Sequence, residues 1–582
     1  MGNQRRKRNP SIATGSRTAN SPVHVILSPT MIRASLLRRC HCLSLFLLLC
    51  FPAGCLALSP GTSPNNAPSA GKPELRAIRA FDTAKKNPLE LSAFLERMPK
   101  GADLHMHLSG AVYAETFLRD AAEDGLCVNL TTFSLFKPAA TTRSLPPQSV
   151  CGEDSAPAES VFKNQLLYDK LVDAFSMRSF VPSSGISGHD QFFATFDRFG
   201  AINKSHTGEW LNEVAVRAAA QNEQYLEVMD TPAFSDVSKL SATIPWPSTP
   251  VDPADSRTGD ATGTTHADLA RLRDTLLADG LRDEVAIDRK QLDDALASRK
   301  RIEHCGQPDA TAACTVKIRF LYQVLRDFPP QQVFAQTLLG FEVASQDSNV
   351  VGINFVQPED AYFSMSEYHR QMRMLDYLHS VYPAVHITLH AGELAPGLVP
   401  PAGLRFHIRE AIDLGHAERI GHGVDIMYER DPHALLKEMA ARHIMVEINL
   451  TSNDVILGVD PRHHPLPIYR AAGVPVALST DDEGVSRITL THEYTRAALD
   501  FDLTYLDLKN IARTSIEHSF LPGASLWQKP DLFTSVNAAC TAQPLGASNP
   551  TPRCKKFLAS SEKAYEQWEL ERRYQIFESN LP

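Results

Sequence analysis

No stretch of this 582-residue chain reaches the run of about 20 apolar residues that a bilayer-crossing helix needs, which excludes a permanent helical membrane span. Positive charge is short as well. The 58 Lys and Arg are outnumbered by 67 Asp and Glu, leaving a formal net charge of -9, so no sequence-wide basic surface is present to neutralise phosphates, and non-specific nucleic-acid binding is excluded. Internal repeats and coiled-coil heptads are lacking, which sets solenoid and fibrous architectures aside. Cysteine is sparse: of ten in all, Cys40, Cys42, Cys50 and Cys55 crowd near the start. Only Cys127, Cys151, Cys305, Cys314, Cys540 and Cys554 remain for the body of the chain.

What is present is the composition of a folded domain, 43% hydrophobic and 21% charged, enough to bury a large core. The N-terminus stands apart. Basic residues (Arg5, Arg6, Lys7 and Arg8, then Arg33, Arg38 and Arg39) precede an apolar run from Cys42 to Phe51, followed by small residues through Ala57. This is the layout of a secretory signal. Residues 1–57 are therefore expected to be a tail and signal peptide, with Met31 a candidate true start and cleavage expected after Ala57. Lipid attachment at Cys55 is the minor alternative. Export to a secreted or periplasmic location follows, and the six remaining cysteines, in three sequence-near pairs, are expected to form local disulfides; buried free thiols are the alternative. Residues 58–75, with Pro60, Pro64, Pro68 and Pro73, read as a flexible linker.

Residues 76–582 read as one domain. Short apolar runs alternate with helical patterns: 101–107, Tyr225 to Asp230, Val316 to Leu325, Val350 to Val356, Val385 to His390, Arg419 to Val424, Ile444 to Leu450 and Val474 to Ser479. Eight such strands with interleaved helices predict a closed (β/α)8 TIM barrel of the α/β class. Long insertions are expected after strands 1 and 2, at about 125–190 and 231–315. A proline-rich part of the second, 244–266, reads as a surface excursion, and the segment from Glu562 to Phe577 as a terminal helix that packs.

The polar residues that interrupt these runs gather at one place in the pattern. The first strand ends in His105-Met106-His107, and residues two apart on a strand share a side, so both imidazoles can reach one ion. The fifth ends in His390-Ala391-Gly392-Glu393, the sixth in Gly421-His422-Gly423, the eighth in Ser479-Thr480-Asp481-Asp482. All are C-terminal strand ends, where barrel active sites sit. Three histidines and a carboxylate suit a metal with nitrogen and oxygen preference, zinc first, with iron, cobalt and manganese left open by residue type. Other histidines, including His386, His443, His463 and His464, read as structural.

Taken together with Met98-Pro99-Lys100-Gly101 ahead of the first strand and Thr451-Ser452-Asn453 after the seventh, these motifs resemble the adenosine/AMP deaminase family of metal-dependent hydrolases over about residues 95–525. The leader and insertions resemble its secreted, growth-factor-related branch. The resemblance implies one Zn2+ held by His105, His107, His390 and Asp481 together with a water, His422 orienting or deprotonating that water, and Glu393 donating a proton to the purine N1. Asp482 would contact the purine N7, or orient a ligand instead. Two positions depart from the family pattern: Ser109 stands where relatives often carry an acid for the sugar hydroxyl, and Gln357 where a glycine offers its N–H to the purine N3. The expected function is deamination of adenosine and 2'-deoxyadenosine to the inosine products and ammonia, with a small purine nucleoside as partner. Alternatives are another adenine compound (AMP, adenine or a modified nucleoside) or a growth-factor-like binding protein on the same fold. Oligomeric state and ribose preference are not legible.

Overall fold

The computed structural model describes residues 71–138, 151–183, 185–232, 235–247 and 264–582. The leader, Met31, Cys55 and most of the expected linker lie outside the described residues. The first helix, Lys72–Ala84, begins inside the stretch expected to be linker. Pro73, counted there as a linker signal, sits in the helix's first turn, where its missing N–H costs no hydrogen bond. Ala77, Phe81 and Ala84 then form its buried face.

Eight strands follow: β1 Gly101–His107, β2 Glu223–Asp230, β3 Lys317–Leu325, β4 Val350–Val356, β5 His386–Ala391, β6 Arg419–His422, β7 Met445–Ile448 and β8 Val476–Leu478. Each pairs in parallel with the next. The ring closes at one end, where Met106 and Asp481 form a parallel bridge. There the His107 N–H donates to the Asp481 carbonyl at 3.1 Å, and the Asp481 N–H to the His105 carbonyl at 2.8 Å. The fold is thus a (β/α)8 barrel. Its closing pair lies at the C-terminal mouth and consists of the histidine and aspartate motifs themselves.

The connections from β3 onward are short crossovers, such as helices Pro330–Gln346 and Tyr368–Val381. The two before it are long. Between β1 and β2 lies a small antiparallel sheet of Leu135–Phe136, Cys127–Asn129 and Ser155–Pro157, followed by helices. One of these, Gly188–Phe199, starts at a capping box of Ser187 and Asp190 and leans over the barrel mouth. Between β2 and β3 come helices His266–Leu276 and Arg282–Ile302; of the excursion expected at 244–266, residues 248–263 lie outside the described residues.

All six cysteines of the body pair locally, as Cys127–Cys151, Cys305–Cys314 and Cys540–Cys554. The second closes the turn after the long helix, and the third pins the segment before the terminal helix Glu562–Ser579. That helix is fastened to helix Tyr505–Glu517 by Arg513 on Glu571 (2.6 Å) and Lys509 on Glu578 (2.5 Å), with Lys509 also reaching Glu74 of the first helix at 2.9 Å. It closes the barrel's flank far from the mouth's polar residues.

Candidate metal centre and active site

Four side chains from three strand ends converge on a point at the mouth. His105 Nε2 lies 3.1 Å from His390 Nε2, and His107 Nε2 lies 3.2 Å from the same atom. Asp481 Oδ1 lies 3.4 Å from His105 Nε2 and 3.2 Å from His107 Nε2. An ion with tetrahedral bonds of about 2.0–2.1 Å has ligand–ligand edges of about 3.3–3.4 Å. These spacings match that figure, whereas packed side chains with no common partner have no reason to.

The outer hydrogen bonds say what those nitrogens carry. His105 Nδ1 meets Glu447 Oε2 at 2.6 Å, His107 Nδ1 meets Gln323 Oε1 at 2.7 Å, and His390 Nδ1 meets Asn354 Oδ1 at 3.0 Å. Each of these partners is an acceptor, so each Nδ1 holds the proton and each Nε2 of a neutral ring presents a lone pair inward. Ser452 donates to Asp481 Oδ2 at 2.5 Å, and the buried Oδ1 has no hydrogen-bond partner. Three lone pairs and a carboxylate oxygen facing one another repel unless positive charge lies between them.

The surroundings favour such charge. Burial works against positive charge at His105, but Asp481 and Glu447 outweigh it and hold the imidazole up to about 10; a cation among the donors would supply that charge in place of the ring's second proton and leave the ring neutral. Burial and the adjacent imidazoles push His390 well below its ordinary value. Asp481 stays ionised: burial would raise it, but the imidazoles of His105, His107 and His422 that face it hold it well below the usual range. The donor set therefore fits a divalent cation of zinc's ligand preference.

Around this point stand the remaining residues singled out in the sequence. Glu393 is buried, and burial together with the Asp481 and Glu359 carboxylates pushes it well above its ordinary value, which favours its protonated form. Its turn is pinned by Glu359, which accepts from the N–H of Gly392 at 3.0 Å and of Glu393 at 2.7 Å. His422, fully buried, has its Nε2 4.0 Å from Asp481 Oδ2 and its Nδ1 3.6 Å from Glu393 Oε1. Burial, with the charge on His105 adding to it, holds it down to about 3, against the opposing pull of Asp481.

Asp482 is the counterpart of Asp481: burial and the neighbouring carboxylate push it up to about 8. The two adjacent aspartates are thus pushed in opposite directions, Asp481 down by the imidazoles that face it and Asp482 up by its burial and its charged neighbour. Gly110 makes room for it, since a Cβ at that position would lie 1.4 Å from Asp482 Oδ1. Ser109 and Gln357 both line the cavity. The Gln357 side chain is tied to the Asp327 N–H at 2.8 Å, and its φ of 91° is the left-handed conformation for which a glycine would be the easier choice. His422 and Asp481 share this feature, with φ of 67° and 59°. Three non-glycine residues at strand ends in this region thus each carry about 1–3 kcal/mol of backbone strain.

The cavity above the donor set measures about 730 Å3, ample for a nucleoside-sized ligand. One wall is aromatic, with Phe192, Phe193, Phe196 and Phe199 from helix Gly188–Phe199. Among the described residues that line it, Lys204 is the sole Lys or Arg, and its ammonium meets Asp230 at 3.2 Å. The carboxyl residues on its described lining are Asp197, Asp327, Glu393, Asp481 and Asp482.

Sequence reading brought nine residues to this mouth, and the structure places all nine there. It passed over the partners that orient them. Glu447, Gln323 and Asn354 were visible as lone polar residues inside otherwise apolar strands, and a polar side chain buried in a barrel wall needs a reason. His464, read as structural, hydrogen-bonds Asn453 at 3.0 Å, and Asn453 in turn reaches His422.

Fold and site together define a barrel that gathers a donor set suited to a cation and the buried acid Glu393 at its C-terminal mouth. Residues 300–536 match the adenosine deaminase family model. Adenosine deaminase of Clostridium perfringens is 36% identical over 135 residues, covering 23% of this chain and 37% of that protein. The Escherichia coli O1:K1 enzyme is 39% identical over 137 residues, covering 23% and 38%. Among solved structures, Arabidopsis ADAL complexed with GMP is similar with a TM-score of 0.47 and 18% identity, over 74% of this chain and 94% of that one. The likeness to the adenosine deaminase family thus covers residues 300–536, less than half of the chain. The aligned part spans just over a third of the length of these curated relatives.

Proposed function

We propose that this protein is a zinc-dependent deaminase of adenosine and 2'-deoxyadenosine, releasing inosine or 2'-deoxyinosine and ammonia. The observation that carries the reading is the convergence of three inward-facing imidazole nitrogens and the Asp481 carboxylate beside the buried Glu393. His105, His107, His390 and Asp481 would hold the ion, which when bound supplies a nucleophilic oxygen at neutral pH. Everything else is work for the chain's own side chains. Glu393 delivers its proton to the purine N1, so the ring accepts a nucleophile at C6 without building up negative charge. Protonated Asp482 donates to the purine N7, which is an acceptor, and so fixes the base in the plane of attack. His422 directs the incoming oxygen. Ser109 and the backbone at Gln357 are the proposed contacts to the sugar and to N3.

The nucleoside assignment rests on charge. A phosphate dianion entering this cavity would meet Asp197 and Asp327 on its walls and find Lys204, the one basic residue among the described lining, already paired with Asp230. Three local disulfides support an oxidising compartment, and with the leader they support export, where uncharged nucleosides are the accessible form. The test is to compare kcat/KM of the zinc-loaded protein for adenosine, 2'-deoxyadenosine, AMP and adenine by ammonia release. Both nucleosides should exceed AMP by at least about tenfold, the equivalent of about 1.4 kcal/mol of uncompensated charge. Equal or better use of AMP would overturn the nucleoside reading.

A further inference from the structure

His422 is held by a chain of hydrogen bonds whose direction can be read from one end. The Leu466 backbone N–H points at His464 Nδ1, 3.1 Å away. A backbone N–H can only donate, so His464 Nδ1 is the acceptor and the proton of this buried, neutral ring lies on Nε2. His464 Nε2 therefore donates to Asn453 Oδ1 at 3.0 Å. With its oxygen thus identified, Asn453 turns its amide nitrogen to His422 Nδ1 at 2.8 Å, and Asn449 Nδ2 approaches the same atom at 3.4 Å. Each link settles the next. His422 Nδ1 is an acceptor, so its proton resides on Nε2, a buried atom with no hydrogen-bond partner that faces Asp481 Oδ2 at 4.0 Å.

The three imidazoles of the donor set are fixed the opposite way, with Nδ1 protonated and Nε2 bare. We infer that His464, acting through Asn453, is a positioning residue that sets the tautomer of His422, so that His422 presents an N–H rather than a lone pair to the reacting centre. This rests on the deaminase reading for its catalytic meaning. The consequence is a change of role between the two that the sequence leaves open: a ring whose Nε2 already bears a proton orients the attacking oxygen by donating to it and does not remove its proton. The same tautomer would keep His422, whose ring lies within ligating reach of His105, His390 and Asp481, out of the donor set, since an N–H cannot ligate.

The experiment is a long-range 1H–15N correlation spectrum of the metal-loaded protein carrying 15N-labelled histidine, with His422 identified by its disappearance in His422→Gln. The expected result is the Nε2–H tautomer, unchanged across the usual histidine range of about pH 5 to 8. In Asn453→Asp the replacement can only accept, so the proton should move to His422 Nδ1. Turnover should then fall about 100-fold, as when one donor to a developing oxyanion is lost, with KM and metal content near those of the parent. His464→Phe should weaken kcat through loss of the anchor, and His464→Gln, which keeps a donor, should restore much of it. An Nδ1–H signal in the parent protein, or a tautomer unchanged in Asn453→Asp, would overturn the inference. The parent spectrum decides the matter even if a variant fails to fold. A parent protein inert toward every adenine compound would sink the proposed function, while the tautomer would still be read directly.

Discussion

Glu393→Gln is expected to lower turnover by about 10,000-fold, the upper end of what a lost general acid costs, or about 5 kcal/mol of barrier. Glutamine nearly matches glutamate in shape and can still hydrogen-bond N1, but it has no proton to hand over when the nucleophile adds to C6. The donor set is untouched by the change. Among the described residues, Glu393 forms its ion-pair-distance contact with His422, at 3.6 Å, and with none of the four donors, so metal content and nucleoside affinity should stay close to those of the parent. Stopped turnover with retained metal, measured by kinetics and elemental analysis on one preparation, is the expected pair of results. Near-normal turnover would remove Glu393 from the proton-donor role.

His390→Ala should fail in the other way. Its Nε2 is the vertex that stands 3.1 Å from His105 Nε2 and 3.2 Å from His107 Nε2. Removing it leaves three donors, and loss of a ligand should exceed the 10-fold to 100-fold drop in metal affinity typical of losing an orienting partner. Metal affinity should therefore fall by more than about 100-fold and activity with it. Excess zinc should recover part of the activity, whereas excess zinc should do nothing for Glu393→Gln. A His390→Ala protein that keeps one ion per chain through dialysis would show that the donor set has been misread.

These variants separate two kinds of residue that differed in how far they could be read from the chain. The ligands and Glu393 were legible because each closes an apolar run, and eight runs with parallel connections leave few architectures that bring their ends together. The strand bounds agree to within a residue or two for the same reason. Orientation was not legible. His105 and the Glu447 that fixes its ring lie 342 positions apart, and His107 lies 216 positions from Gln323; a lone polar residue in a strand announces a need without naming its partner. The His464 relay was hidden for this reason too. Local chemistry also misled in one place, where Pro73 suggested linker but opens the first helix, because a proline signal does not say whether the next turn is helical. The aromatic wall was within reach: Phe192, Phe196 and Phe199 recur at helical spacing, but the neighbouring loop signals of the first insertion obscured them.

The central claim is that the four converging donors hold an ion on which deamination depends. It is tested most directly by following ammonia release from adenosine before metal removal by a chelator, after it, and after zinc is restored. The account predicts activity that tracks bound metal, nearly abolished when the ion is stripped and regained at about one zinc per chain, the stoichiometry of a single four-ligand site. Undiminished release of ammonia from protein shown by elemental analysis to be free of metal would contradict it.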